Sequence, residues 1–214
     1  MRAKFSSAFI LAKYTFFAEM DRPPQSSVPK IIMITPEEYS LWIIPPEHIF
    51  KKFTAIISQL STRYSTPYFE PHVTVLADVA LPEEDVLSRT SKLADLIGPF
   101  TLTLTTVSYL NEYFRCLFIK VEESEKILEI NNHAKSIFNR DQAPKFMPHL
   151  SLMYGNFPAE KKEEIISEIR NDFHITFEVS SIHLVLSSSH IAPERWRKLQ
   201  QFTFMKPSFS HTKS

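Results

Sequence analysis

The chain has 214 residues, 43% of them hydrophobic, with 24 basic and 24 acidic side chains and a formal net charge of zero. That length permits one sizeable core or two small lobes sharing a cleft. The charge balance argues against a protein that grips long DNA or RNA, whose affinity comes from neutralising many phosphates at once. The single cysteine, Cys116, rules out an internal disulfide framework and a cysteine-based zinc site, and it favours a reducing compartment.

At the N-terminus, Arg2 and Lys4 precede Phe5, Phe9, Ile10, Leu11, Phe16 and Phe17, but Lys13 interrupts the apolar run and no small-residue cleavage site follows. Residues 1–35 therefore read as a leader and Pro/Ser-rich linker outside the fold. A single bilobal domain is expected over 36–206, with a flexible tail at 207–214 and no segment of membrane-spanning length.

Within the domain, Tyr39 to Ile44 predicts a strand stopped by Pro45-Pro46. Pro46 to Leu60 predicts a helix with Ile49, Phe53, Ile56, Ile57 and Leu60 on one stripe. Phe69 to Ala77 reads as a strand, and Leu81 to Ile97 as a helix that starts at Pro82 and ends at Gly98-Pro99. The alternating run Phe100 to Ser108 predicts an amphipathic strand. Tyr113 to Val121 predicts a strand covered on both faces, and Ser124 to Phe138 a helix capped by Ser124. A short strand at Leu150 to Tyr154, a charged helix at Pro158 to Ile169, and strands at Ile175 to Leu186 and Trp196 to Phe204 complete the order. These elements alone define only a mixed α and β protein.

One pattern recurs. Pro71-His72-Val73-Thr74-Val75 and Pro148-His149-Leu150-Ser151-Leu152 share the form Pro-His-apolar-hydroxyl-apolar, with the histidines 77 positions apart. In a strand, His72 and Thr74 point one way and Val73 and Val75 the other; His149 and Ser151 repeat the arrangement against Leu150 and Leu152. A lone copy would more often be a structural histidine, whereas two copies of the same parity suggest two related lobes facing each other. Opening a cyclic phosphodiester needs a base for the attacking water and an acid for the leaving alkoxide, and histidine serves either near neutral pH. The hydroxyls of Thr74 and Ser151 can donate to the non-bridging oxygens. With two glycines, Gly98 and Gly155, no glycine-dependent phosphate loop can be written, so side chains must hold the phosphate.

The repeated motif resembles the two-histidine (2H) phosphoesterase superfamily, and within it the plant and yeast cyclic phosphodiesterases. The likeness extends through Tyr39-Ser40-Leu41-Trp42, Phe69 to Val75, Tyr113 to Phe118, Met147 to Tyr154, and Trp196. The resemblance implies an α+β bilobal fold, two antiparallel sheets with outer helices around a central water-filled cleft. It implies hydrolysis of ADP-ribose 1'',2''-cyclic phosphate and of nucleoside 2',3'-cyclic phosphates. By position His72, Thr74, His149 and Ser151 match the catalytic tetrad, and Tyr154 an aromatic near the phosphate. His149 is read as base and His72 as acid, in a site whose near-symmetry leaves that order open. The disulfide-forming cysteines of plant members are missing here.

Other residues carry weaker readings. Trp42 could stack on a purine or ribose, or belong to the core. Tyr154 would face the core by periodicity, unless a kink at Gly155 turns it back. Cys116 reads as a buried, inert thiol. His183 and His190 flank Ser187, Ser188 and Ser189 without a nucleophile elbow; Arg115 reads as a residue that could reach a diphosphate, and Trp196 as a packing anchor. Lys161, Lys162, Glu163 and Glu164 read as a solvated helical face. The expected protein is a cytoplasmic monomer that needs neither cofactor nor metal. Its expected partner is a small nucleotide with a cyclic phosphate, neither DNA nor membrane. RNA ends, in a trimming or 2',5'-ligase-like activity, form the second candidate, and a non-catalytic nucleotide-binding module the third.

Overall fold

The computed structural model describes residues 37–169 and 172–205, so the expected leader and tail lie outside the described residues. Eight strands form one antiparallel sheet in the order β6-β3-β4-β5-β2-β1-β7-β8. They are β1 (Tyr39–Ile43), β2 (Val73–Val79), β3 (Phe100–Ser108), β4 (Leu117–Val121), β5 (His149–Met153), β6 (Asp172–Val179), β7 (Ser181–Leu186) and β8 (Arg197–Thr203). The α-helices among the described residues are α1 (Glu47–Tyr64), α2 (Glu83–Leu96), α3 (Glu125–Ile137) and α4 (Ala159–Glu168).

The two expected sheets are the two halves of this one. They meet only at β2 and β5, through the single register pair Val73↔Leu150. The strand order is symmetric about that junction. On one side β1 pairs with β2 across α1; on the other, β4 pairs with β5 across α3. The repeated motif thus belongs to a repeated strand–helix–strand unit, with its copies facing each other at the seam.

Helix α1 buries Ile49, Phe53, Ile57 and Leu60 along one stripe, each contributing about 1.5–3 kcal/mol by leaving water. It packs against β5 of the opposite half, while α3 packs against β2, so each helix braces the other half's histidine strand. In α3 the buried Asn131 donates from Nδ2 to the Val75 carbonyl at 2.8 Å. Ser124 caps α3 by accepting from the Ile127 N–H. Leu41, Ile43, Val73, Val75, Leu117, Ile119, Leu150, Leu152, Ile182 and Leu184 form the strand side of the core.

Three sequence expectations need correction. Tyr113 to Val121 is not one strand: Tyr113–Arg115 forms a 3-10 turn and β4 begins at Leu117. The turn is closed by the Leu110 N–H donating to the Arg115 carbonyl and the Gly155 N–H to that of Tyr113, and it swings Phe114 toward Tyr154. Ile175 to Leu186 divides into β6, which pairs with β3, and β7, which pairs with β1 and β8. The apolar alternation slips by one position at Ser180-Ser181, from Ile175, Phe177 and Val179 to Ile182, Leu184 and Leu186, and that change of phase is where the two strands part. Lys162 is fully buried (1% exposed), with Nζ donating to the Leu110 carbonyl at 2.9 Å and Asn111 Oδ1 at 2.8 Å, beneath the Tyr109 ring.

Candidate active site

In an antiparallel pair, residues directly opposite share a face. Trp42 on β1 lies opposite Thr74, and Phe118 on β4 lies opposite Ser151. Continuing the Val73↔Leu150 register brings His72 opposite Ser151 and Thr74 opposite His149. The seam therefore places the imidazole of each motif beside the hydroxyl of the other, on the face away from the helices.

Both rings are oriented in the same way. His72 Nδ1 donates to the Glu70 carbonyl at 2.6 Å, and His149 Nδ1 to the Met147 carbonyl at 2.7 Å. A carbonyl can only accept, so each Nδ1 carries its hydrogen and the neutral ring keeps Nε2 as its free acceptor. The intervening Pro71 and Pro148 explain why the motif contains proline. Proline holds the residue before it extended, and the carbonyl two positions back then faces the ring.

The symmetry ends at the supporting aromatics. Trp42 stacks flat on His72, with ring centroids 3.5 Å apart and an 8° interplanar angle. Phe118 meets His149 edge-on at 5.1 Å. His72 is buried, at 5% exposure, whereas His149 is half-buried at the surface of β5. Burial pushes the His72 pKa down to about 3; the Glu70 bond opposes this, and the neighbouring His149 adds to it. His149 is also lowered, first by burial and then by the Arg115 guanidinium, with the Met147 bond and Glu112 opposing. Arg115 itself pairs with Glu112 at 3.1 Å.

Trp42 is 4% exposed and one of its faces is taken by His72. Of the two readings offered for it, packing beneath an imidazole fits this geometry and base stacking does not. Tyr154 lies just past β5, at the kink where Gly155 adopts φ 149°. It is buried against Phe69 at 3.9 Å and 18° and is edge-on to Trp196 and Phe114. Burial raises its phenol pKa, and a hydrogen bond with the Ser151 side chain acts the other way. The kink places Tyr154 in an aromatic floor that also touches Ser151, so it is both buried and beside the site. Ser151 Oγ makes a long 3.4 Å bond to the Phe114 carbonyl.

His183 lies opposite Trp42 on β7, half-buried, with its pKa lowered by burial and by Lys198 and raised by Glu70. It adjoins the site but stands apart from the serine run beside which it was considered. Among the described residues no group of three or more His, Cys, Asp or Glu side chains is placed to hold a metal ion, and no helix is long and apolar enough to cross a membrane.

Sequence reasoning missed Phe118, Phe69 and the two orienting carbonyls. Phe118 precedes Ser151 at nearly the separation by which Trp42 precedes Thr74, a signal visible only if the repeat is extended backwards from the motif.

An α+β fold of two related halves, each presenting a histidine and a hydroxyl at the seam, is that of the 2H phosphoesterases. The Thermus thermophilus protein TT0787 shares the fold, with a TM-score of 0.59 over 79% of this chain and 99% of that one at 20% identity. Escherichia coli LigT in complex with 3'-AMP shares it at a TM-score of 0.56 over 80% and 100%, at 17% identity. Residues 38–196 match the family described as cyclic phosphodiesterase-like protein, and the chain belongs to that family. A cyclic phosphodiesterase of Arabidopsis thaliana is 30% identical over 125 residues, which cover 58% of this chain and 69% of the relative.

Proposed function

We propose that this chain hydrolyses cyclic phosphates carried by ribonucleotide-like molecules, by two-histidine acid–base catalysis without a metal. The substrates in this reading are ADP-ribose 1'',2''-cyclic phosphate, opened to ADP-ribose 1''-phosphate, and nucleoside 2',3'-cyclic phosphates, opened to 2'-phosphates. The observation that carries it is the pair of imidazoles across the β2–β5 seam, each with Nδ1 committed to a backbone carbonyl and Nε2 left for chemistry. The name of the Arabidopsis relative supports the reaction class, and the 3'-AMP bound by LigT supports a ribonucleotide ligand.

His149 is the more exposed ring and meets solvent, so its Nε2 takes the proton from the attacking water. The new P–O bond forms in line with the bond that breaks, to the 3' oxygen of a nucleoside 2',3'-cyclic phosphate or the 2'' oxygen of the ADP-ribose cyclic phosphate. His72, enclosed between Trp42 and Trp196, protonates that oxygen as it leaves. An imidazole buried this deeply is neutral in the free protein. It holds the required proton once the anionic phosphate lies against it, because a nearby opposite charge favours the charged form. Thr74 and Ser151 donate to the non-bridging oxygens. Ser151 gives up its long bond to the Phe114 carbonyl when it does so, and Tyr154 supports it from below.

Phosphorus NMR on adenosine 2',3'-cyclic phosphate and on ADP-ribose 1'',2''-cyclic phosphate tests the reading. Each is expected to give one monoester, with turnover falling about 10²–10⁴-fold in His72→Ala and in His149→Ala. A folded variant of either kind that kept near-normal turnover would remove its histidine from the mechanism.

A further inference from the structure

The carbonyl that orients His72 belongs to Glu70, and Glu70 sits in a stretch between α1 and β2 that has no regular structure. Such a stretch has no ladder of its own to hold it. Beyond the Ser61–Thr66 hydrogen bonds at its start and the stacking of Phe69 on Tyr154, its support comes from more than a hundred residues further along the chain. Glu194 Oε1 accepts from the Tyr68 N–H at 3.2 Å. Lys198 Nζ pairs with Glu70 Oε2 at 2.8 Å. Between these two contacts, Trp196 stands edge-on to His72 at 6.3 Å, to Trp42 at 5.7 Å and to Tyr154 at 6.1 Å. Trp196 is fixed in turn by Nε1 donating to the Ser188 carbonyl at 3.1 Å. Segment 194–198 thus touches the residue two before Glu70, the side chain of Glu70, and the face of the assembly that encloses His72.

We propose that this segment is a clamp that positions His72, with Lys198 and Glu194 as positioning residues that act through Glu70 and the Tyr68 N–H. The inference rests on the reading of His72 as a catalytic group. The clamp sets where the Glu70 carbonyl lies, the carbonyl fixes the Nδ1–H tautomer, and the tautomer presents Nε2 to the substrate. A carbonyl that moved away would release the ring to its other tautomer and direct the wrong nitrogen at the leaving oxygen. The ion pair is partly exposed, with side chains 42% and 39% accessible. Exposed pairs contribute little to stability, so its loss is expected to be felt in geometry more than in folding.

The test uses the full chain carrying Lys198→Met, Glu194→Gln and both together, with Lys198→Arg as the conservative control. Adenosine 2',3'-cyclic phosphate is the substrate, and the His72 ring nitrogens are followed by nitrogen-15 NMR. The double variant is expected to lower kcat about 10-fold with KM within twofold, as small misplacements of a catalytic group do. Its His72 signals should shift toward a mixture of tautomers while the melting temperature stays close to that of the parent, and Lys198→Arg should restore both readouts. Unchanged His72 signals in the double variant would overturn the clamp, whether kcat fell, the melting temperature fell, or neither moved. Failure of the catalytic reading is seen separately: His72→Ala would retain turnover, while the tautomer measurement would still report on the clamp.

Discussion

The two histidines share a sequence pattern and a backbone bond, yet they occupy different environments, and the difference can be measured. His72 has a folded-state pKa of about 3 because burial disfavours its charged form, while an unfolded histidine titrates at about 6.5. Between those values the unfolded chain binds a proton that the folded chain does not. Stability is therefore complete above about pH 6.5 and is lost as the pH falls toward 3, with a slope approaching about 1.4 kcal/mol per pH unit from this group. His149, also lowered, acts in the same direction. Urea denaturation at a series of pH values should show this loss, and His72→Gln should flatten it; an unchanged slope in that variant would assign the effect to other groups. The same depression gives a binding signature. If the bound anion raises the pKa of His72 enough for the ring to take a proton from solvent, binding of a nucleoside 2',3'-cyclic phosphonate, which itself stays monoanionic, should be accompanied by uptake of close to one proton per site at pH 7. Calorimetry in buffers of different ionisation enthalpy reads that number directly, and a value near zero would take the acid role away from His72.

The elements show where sequence reading succeeds and where it stops. Helices α1 and α3 were legible because a stripe such as Ile49, Phe53, Ile57 and Leu60 is a local signal. The motif strands were legible because His72 and Thr74, and His149 and Ser151, recur with one parity. The 3-10 turn at Tyr113–Arg115 was not, because one of the bonds that close it is tertiary: the Gly155 amide, 42 residues away, donates to the Tyr113 carbonyl and draws the backbone out of line. Lys162 was hidden for a similar reason, since one turn of a charged helix looks alike whether or not a carbonyl waits beside one of its lysines. That carbonyl belongs to Leu110, so α4 holds the loop that leads to Phe114 and Arg115. Lys162→Ala would leave the Leu110 oxygen and Asn111 Oδ1 without this donor and open a cavity below Tyr109. We expect a loss of about 3 kcal/mol, measurable by urea denaturation. The neighbouring Lys161→Ala, which removes a partly exposed pair with Glu164 and the ammonium's contact with the Tyr64 ring, should cost no more than about 1 kcal/mol.

At the scale of the molecule, the sheet is narrowest where the two histidine motifs meet. A single register pair joins the halves through their strands, and a contact that small would not make two lobes unfold together. The helices supply what the strands lack: α1 crosses to β5, α3 crosses to β2, and Asn131 ties α3 to the Val75 carbonyl. Each half therefore buries apolar surface of the other, and separating them would expose both histidine strands at once. The chain carries its own reporters for this argument. Both tryptophans, Trp42 and Trp196, lie with the β1–β7–β8 side, while the only cysteine, Cys116, is buried at the start of β4 on the other. Tryptophan fluorescence and the reactivity of the Cys116 thiol, followed through the same urea series, should give coincident midpoints, as a single cooperative transition requires. Exposure of Cys116 at a lower urea concentration than the fluorescence change would mean that the halves come apart first. The crossed helices would then not be what holds the two imidazoles at one seam.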